Sequence, residues 1–273
     1  MTLITNLGMP FVGTNLPPKA VRDPIIRDGT IAFDFTNGYT NPLADGEVPV
    51  ATEFRNLGHD DTIKAVVTAQ TGIRIQSGPK GLLWPSTVQN SGQVDYLKIT
   101  GDSGFDYATG NWALLAWCTF PTGRPVTNYD KIFGRHSTTN ANANASAFFG
   151  STGANGMRPS ATLLPDGESV GTSASTNFFV DVAYDVPFLM GVGYLNADAG
   201  IAQVRDDVVN TTLGVEGLET AGALDDDPSW FTSFMFPRSG YIHRIVIDDL
   251  SASGRTLEDL VADEYAWRSG VYA

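Results

Sequence analysis

Residues 112–120 read WALLAWCTF and are apolar at both of the alternating sets of positions that a strand would present. Successive side chains of a β-strand point to opposite faces, and apolar residues on both faces indicate a strand that is covered on both sides. The run therefore predicts a central strand over Trp112–Phe120. Cys118, the single cysteine of the chain, is predicted to be a buried small hydrophobic residue, because its neighbours do not supply the electropositive setting of a reactive thiolate.

Shorter β-rich runs bounded by Gly, Asn, Asp and Pro flank this stretch on both sides. Their number predicts an all-β, two-sheet antiparallel jelly-roll sandwich. Residues 188–195 and 201–205, separated by the turn-forming residues 196–200, predict a hairpin. The other predicted strands are Thr30–Phe35, Thr62–Val67, Thr71–Gln76, Tyr96–Thr100, Lys131–Gly134, Ala147–Gly150, Asn177–Tyr184 and Tyr241–Asp248.

One segment has a helical pattern, beginning at Ser253 and continuing to Trp267. Thr256 with an acid three residues later is typical of a helix N-cap. Leu257, Leu260, Val261 and Glu264 follow at i, i+3, i+4 and i+7, so that a narrow apolar stripe could lie on the sandwich.

The domain organisation predicted from these patterns has three parts. Residues 1–24 contain four prolines and form an extended N-terminal arm, which packs on its own domain or docks on a neighbouring subunit. Residues 25–252 form the jelly-roll β-sandwich, and residues 253–273 form a C-terminal helix and tail.

Composition narrows the function classes. Seventeen basic and thirty acidic residues leave a formal charge of −13, which opposes binding to nucleic acid or to an anionic membrane. No stretch has the pattern of a signal peptide or the length of a membrane span, and the expectation is a soluble chain.

A family resemblance appears in the segment Tyr96-Leu97-Lys98-Ile99, Asp102-Ser103-Gly104-Phe105-Asp106-Tyr107, Gly110-Asn111-Trp112 and Leu114 to Trp117. It resembles the laminin-G-like, concanavalin A-like superfamily, and with the hairpin of Phe188 to Arg205 the likeness covers roughly residues 90 to 250. The ending from Ile245 to Thr256 is similar to the close of sandwich domains in virion proteins of tailed bacteriophages. The resemblance implies a jelly-roll domain of a phage particle assembled in the bacterial cytoplasm, a setting that agrees with the lack of disulfides.

The acids and histidines of the sequence do not form a catalytic pattern. Jelly-roll glucanases place two glutamates on one strand face in an E-x-D-x-E run, and no such run occurs in this sequence. His59 is predicted to lie in a turn. His243 is predicted to be packed within an alternating strand that includes Tyr241, Ile245 and Ile247. The spacing of His136 from these two histidines does not predict a metal triad. The expectation is a protein that is not an enzyme and has no catalytic or cofactor-binding residues. The sequence patterns do not decide whether any residues bind a metal ion.

Calcium is the one cofactor that the sequence leaves open. Asp225, Asp226 and Asp227 form the densest acidic run, and carboxylate oxygens are ligands for Ca²⁺. The run lacks the alternating spacing that wraps a loop around an ion, so a solvated acidic loop is the favoured interpretation. The aromatic cluster Trp230, Phe231, Phe234, Met235 and Phe236 follows, with core packing favoured over stacking on a sugar.

These observations predict a structural component of a tailed-phage virion, as a capsid decoration, head-fibre, tail or baseplate protein. Its partners would be other virion proteins and copies of itself. The alternative is a carbohydrate-binding module that recognises host surface glycans, and a glycan hydrolase is the weakest of the three hypotheses.

Overall fold

The computed structural model describes residues 23–69, 74–85, 95–101, 111–123, 130–137, 144–153, 156–163, 174–177, 183–196, 198–205, 208–213, 230–234, 239–268 and 271–272. In these ranges the chain is almost entirely β-structure with two short helices near the C-terminus. In chain order the elements are β1 (Thr30–Asp34), β2 (Gly46–Glu47), β3 (Glu53–Arg55), β4 (Lys64–Thr68), β5 (Gln76–Gly78), β6 (Gly81–Trp84), β7 (Tyr96–Thr100), β8 (Trp112–Thr119), β9 (Asp130–Ser137), β10 (Asn144–Gly153), β11 (Gly156–Leu163), β12 (Ala174–Asn177), β13 (Phe188–Leu195), β14 (Asp198–Arg205), β15 (Val208–Leu213), β16 (Trp230–Phe234), β17 (Gly240–Asp249), α1 (Leu250–Ser253) and α2 (Leu257–Arg268).

The strands form two antiparallel sheets. The nine-stranded sheet has the order β15-β14-β13-β8-β17-β6-β5-β2, with β1 also paired to β17. The eight-stranded sheet has the order β12-β11-β10-β9-β16-β7-β4-β3. Hairpins of consecutive strands alternate with pairings between strands distant in the chain, such as β1 with β17 and β8 with β13. The predicted fold class is confirmed.

The main core lies between the two sheets. Alternate residues of β4 and β7 on the eight-stranded side meet the inward residues of β1, β8, β13 and β17 on the other side. Phe35 and Phe54 meet edge to face across this core with ring centroids 5.2 Å apart, a geometry that the ring quadrupoles favour.

The predicted central strand is confirmed. All eight residues of β8 are buried, and β8 pairs with β13 on one side and β17 on the other. Its second apolar face is explained by α2, which covers the outer surface of the nine-stranded sheet and packs on Leu115 and Trp117. Cys118 is buried, as predicted.

The predicted helix is confirmed from its cap to its stripe. The Thr256 hydroxyl accepts from the Asp259 backbone N–H at 3.1 Å, and the Asp259 carboxylate accepts from the Thr256 N–H at 3.2 Å. This reciprocal pair satisfies two donors of the first turn. Leu257, Leu260 and Val261 are all buried against the sheet.

The structure differs from the predicted strands in several details. Residues 71–73 of the predicted strand Thr71–Gln76 lie outside the described residues, and β5 begins at Gln76. The strand predicted over Asn177–Tyr184 does not include its last residue, because residues 184–185 lie in a turn. Asp185 has a left-handed φ of 61°, and its carboxylate accepts from the backbone N–H and the hydroxyl of Thr122 at 3.0 and 2.6 Å. The hairpin turn is tighter than predicted, since Leu195 pairs with Asp198 and Asn196 takes the left-handed φ of 52° that such a short loop requires.

Candidate functional site

The outer face of the nine-stranded sheet is buried beneath the C-terminal helix. Leu257, Leu260 and Val261 of α2 pack on it, and the chain on either side of β1 and α2 adds further cover. The sheet residues beneath this cover are apolar and come from β1, β8, β13, β14 and β17, namely Ala32, Ala113, Leu115, Trp117, Leu189, Val204 and Val246.

Arg244 of β17 lies within this interface as a fully buried cation. Its Nη1 atom lies 2.8 Å from Asp23 Oδ2, and its Nε and Nη2 atoms each lie 2.9 Å from Glu264 Oε1. Asp34 Oδ2 is 3.8 Å from Nη1. Burial by itself lowers the pKa of the Arg244 guanidinium, but the carboxylates around it raise that pKa above its usual value, so the group is charged.

Two further side chains complete a network that we name the Arg244 cluster. The Arg268 guanidinium at the end of α2 lies 2.6 Å from Asp34 Oδ2 and 3.2 Å from Asp23 Oδ2. The indole Nε1 of Trp117 donates to Glu264 Oε2 at 3.0 Å. The cluster thus joins the segment before β1, the strands β1, β8 and β17, and the helix α2. Its members are Asp23, Asp34, Trp117, Arg244, Glu264 and Arg268.

A β-bulge at His243 places Arg244 on the outer face. In the pairing of β17 with β8, Ile242 lies opposite Cys118 and Arg244 lies opposite Trp117, which leaves His243 without a partner residue. The extra residue inverts the alternation, so that Ile242 and Ile245 both reach the core between the sheets. The predicted unbroken alternation through Tyr241, His243, Ile245 and Ile247 is therefore wrong, because a bulge changes the face of every later residue.

The predicted burial of His243 is confirmed. Its ring stacks with Tyr272 at a centroid distance of 5.0 Å and with Tyr241 at 6.1 Å. Nδ1 contacts the Lys80 carbonyl oxygen and must donate to it, so Nε2 accepts from the Thr119 hydroxyl at 2.8 Å. Burial lowers the pKa of His243 to about 4, with a smaller contribution from the Lys80 charge. The imidazole is neutral at pH 7.

A second buried group surrounds Asp248 near the end of β17. Its carboxylate accepts from the Thr30 hydroxyl at 2.8 Å, from the Ser253 hydroxyl at 2.5 Å and from the Arg255 guanidinium. Burial raises the pKa of Asp248, and these donors oppose the rise without reversing it. The group ties β1 and β17 to the α1–α2 connection.

Both groups of charges act within the protein. Arg244 and Glu264 have no exposed side-chain surface, and Asp248 has none, so a substrate in solution does not reach them. Their chemistry is that of buried ion pairs, which hold α2 and the C-terminus on the sheet. In the described part of the chain, no group of three or more His, Cys, Asp or Glu side chains is placed to hold a metal ion.

The eight-stranded sheet presents a different surface at β3, β4 and β7. Phe54, Ala65, Val67, Leu97 and Ile99 point into the core, and the alternate residues point outward. The register places these outward residues in rows across the three strands. We name this surface the open face, because Glu53 and Arg55 are exposed and the others are half-buried, namely Lys64, Val66, Thr68, Tyr96, Lys98 and Thr100.

The sequence-predicted site residues do not come together in the described structure. Asp225, Asp226 and Asp227 lie outside the described residues, as does Met235 with Phe236. Trp230 is the first residue of β16 and pairs with Ser137 of β9. His136 is the neighbouring residue of β9, so Trp230 and His136 lie one position apart in the register of the two strands. His59 lies in the exposed loop between β3 and β4, in agreement with the predicted turn, with Nε2 3.9 Å from Asp28 Oδ1.

The Arg244 cluster was missed by the sequence patterns, although one sign of it was present. Glu264 occupies the fourth position of the apolar stripe of α2, where a carboxylate faces the sheet and needs a partner. The partners come from residues 23, 34, 244 and 268, whose separation in the chain hides their proximity.

Comparison with known proteins supports the fold. No protein-family model and no curated protein matches the chain. Among solved structures, the botulinum neurotoxin serotype G binding domain is similar, with a TM-score of 0.50, 12% identity, and coverage of 76% of this chain and 47% of that one. A structure of botulinum neurotoxin type C, a toxin whose cell entry depends on interaction with two ganglioside molecules, has a TM-score of 0.49 and 14% identity. The match covers 82% of this chain and 51% of the toxin chain.

Enzymes are also among these neighbours. An alginate lyase from Pseudomonas aeruginosa has a TM-score of 0.43 and 12% identity, and the match covers 64% of this chain and 85% of the lyase. The chain spans about half the length of the two toxin structures. At these identities the similarity concerns the fold alone. In the described part of the chain, no helix is long and apolar enough to cross a membrane. The chain is an all-β protein with a two-sheet, antiparallel, jelly-roll-like sandwich, on one side of which a C-terminal helix packs.

Proposed function

We propose that this chain is a non-catalytic recognition module that binds glycan on the open face of its eight-stranded sheet. The observation that carries the proposal is the difference between the two outer faces. The outer face of the nine-stranded sheet is covered by α2 over β1, β8, β13, β14 and β17, and the buried charges there are paired with each other. The eight-stranded sheet leaves the outward residues of β3, β4 and β7 exposed or half-exposed.

The composition of the open face favours a sugar ligand. Thr68 and Thr100 supply hydroxyl groups, and the half-buried Val66 between them supplies an apolar surface on which a pyranose ring can pack. The ring of the half-buried Tyr96 packs against the main core and borders this surface. The three strands span roughly 10 Å across the face, and successive outward rows are about 7 Å apart. A disaccharide fits a strip of these dimensions. The Tyr96 hydroxyl is hydrogen-bonded to Thr68, and burial raises its pKa.

A glycan array tests the proposal with a matched pair of valines. Val66 lies at the centre of the open face, and Val186 lies just before β13 of the other sheet, with 37% of its surface exposed. We expect wild type to bind at least one glycan, the Val66→Asp variant to bind it at least tenfold more weakly, and the Val186→Asp variant to bind it like wild type. Equal binding by all three would place the ligand elsewhere, and no binding by wild type would refute the proposal.

The tailed-phage virion role is the second candidate, and an edge strand supports it. β15 reads VVNTTL, carries no charge and no proline, and exposes Val208 and Val209. Natural sheets usually protect such edges, since they pair readily with another strand. We propose that a second copy of this chain pairs here within a virion assembled in the bacterial cytoplasm, beside other virion proteins.

Mass photometry of the full chain tests this second role. We expect an oligomer for wild type and a monomer for the Val208→Lys/Val209→Lys variant, because paired lysines prevent edge-to-edge association. A strict monomer for wild type would count against the assembly role and would leave the glycan proposal untouched.

A further inference from the structure

Two cations stand directly opposite each other on the open face. Arg55 of the edge strand β3 pairs in register with Lys64 of β4. Directly opposed side chains on antiparallel strands have Cβ atoms about 5 Å apart, and like charges in that position destabilise the sheet. A third cation, Lys98 of β7, lies diagonally from Lys64, because Lys64 pairs with Thr100 and Val66 pairs with Lys98.

Neither member of the opposed pair is neutralised within the described residues by a carboxylate partner. The Arg55 guanidinium lies over the Tyr39 ring, with Cζ 5.5 Å from the ring centroid. Lys64 Nζ donates to the Asp61 backbone carbonyl, which carries no net charge. Each cation therefore has a neutral partner that leaves donors for a further group.

Two nearby carboxylates offset part of this charge. Asp60 accepts from the hydroxyl and the backbone N–H of Thr62 at 2.6 and 2.9 Å, which lowers its pKa, and the Lys64 charge lowers that pKa further. Glu53 is exposed and lies diagonally from Lys64. Neither carboxylate separates the two cations, so Arg55 and Lys64 remain directly opposed like charges on a protein whose overall charge is −13.

We propose that the open face binds an anionic glycan, with a carboxylate or sulfate group of the sugar held between Arg55 and Lys64. This inference rests on the proposed glycan-binding function and assigns its ligand class. The planar guanidinium of Arg55 matches two oxygens of a carboxylate, and Lys64 supplies a second charge beside it. The Tyr39 ring beneath Arg55 limits the orientations of the guanidinium, so fewer are lost on binding.

The test is an array of oligosaccharide pairs that share a backbone and differ in charge. Suitable pairs are carboxyl-reduced with native galacturonan, carboxyl-reduced with native mannuronan, and desulfated with sulfated carrageenan. The proteins are wild type, Arg55→Gln/Lys64→Gln, Lys64→Gln and Lys80→Gln, the last of which removes one exposed positive charge away from the open face. Thermal unfolding of each variant controls for folding, and the double variant should be at least as stable as wild type because it removes a like-charge contact.

We expect wild type to bind charged members at least tenfold more tightly than their neutral counterparts, and to do so more weakly as salt is raised. The double variant should lose at least tenfold in affinity for the charged members, Lys64→Gln should lose less, and Lys80→Gln should bind like wild type. Equal binding of charged and neutral members, unchanged in the double variant, would overturn the ligand class and leave glycan binding intact. Failure of wild type to bind any member would refute both proposals.

Discussion

Arg244 of β17 and Glu264 of α2 form a fully buried ion pair, with the guanidinium Nη2 2.9 Å from Glu264 Oε1. The pair joins the central strands of the nine-stranded sheet to the helix that covers them. Buried charges are costly to desolvate, and such a pair is favourable only when further polar groups satisfy it. Here Asp23 Oδ2 lies 2.8 Å from the guanidinium Nη1, and the Trp117 indole donates to Glu264 Oε2 at 3.0 Å.

Replacing Glu264 by Gln should destabilise the protein strongly, because it removes a negative partner from the fully buried Arg244. We expect the free energy of unfolding to fall by about 3 to 5 kcal/mol, measured by urea denaturation at pH 7. Glu258 on the exposed side of the same helix is the matched control, and its change to Gln should alter stability by about 0.5 kcal/mol or less. Equal effects at both positions would contradict a structural role for the cluster.

The buried imidazole of His243 predicts a loss of stability in acid. Its pKa is about 4 in the folded protein and 6.5 when unfolded. Below pH 6.5 the unfolded chain binds a proton that the folded chain does not, so stability falls as the pH drops toward 4, by on the order of 3 kcal/mol. Above pH 6.5 both states are neutral and the contribution does not change.

The change of His243 to Gln isolates this contribution, since a neutral amide does not titrate. We expect the unfolding free energy of the variant to decline less between pH 7 and pH 4 than that of wild type. The raised pKa of Asp248 is present in both proteins and cancels in the comparison. Parallel pH profiles would show that His243 is accessible to protons in the folded state.

Gly81 is required where β5 turns into β6. Its φ is +101°, and a Cβ atom at this position would lie 2.5 Å from the Ile242 backbone oxygen. We expect Gly81→Ala to lower the unfolding free energy by roughly 2 kcal/mol or more. Gly38 is the control, because a Cβ there meets nothing within 4 Å. If both alanine variants unfold at the same denaturant concentration, the β6–β17 contact is looser than the structure indicates.

The capping pair at Thr256 predicts a smaller effect. Thr256→Ala removes the hydroxyl that accepts from the Asp259 N–H at 3.1 Å, and N-cap residues of this kind contribute about 1 kcal/mol. Thermal and urea unfolding should both register the loss. Ser251→Ala, at an exposed site of α1, should leave stability unchanged, and a comparable loss there would remove the argument for a specific cap.

The strongest elements could be predicted because their residues carry the pattern locally. Strand β7 matches its predicted bounds, β13 does as well, and β8 differs by one residue. Their large apolar side chains must be covered on at least one face wherever they lie. Strands such as β11 and β15 have few large apolar residues, and their pairing with β10 and β14 decides their conformation.

The open face could be predicted only in part. The alternation in Tyr96–Thr100 shows that Lys98 points away from Ile99. The register that sets Arg55 opposite Lys64 depends on how β3 meets β4 across an eight-residue connection. The apolar stripe of α2 likewise does not indicate which of the two sheets the helix covers.

The sequence by itself determined the all-β class, the doubly buried strand β8, and the capped helix with its apolar stripe, because strand alternation and helix capping are local properties. The tertiary structure alone decided that the bulge at His243 turns Arg244 outward to meet Glu264. It likewise decided which sheet remains open. Both depend on contacts between residues far apart in the chain, where burial and charge pairing are settled by packing rather than by local preference.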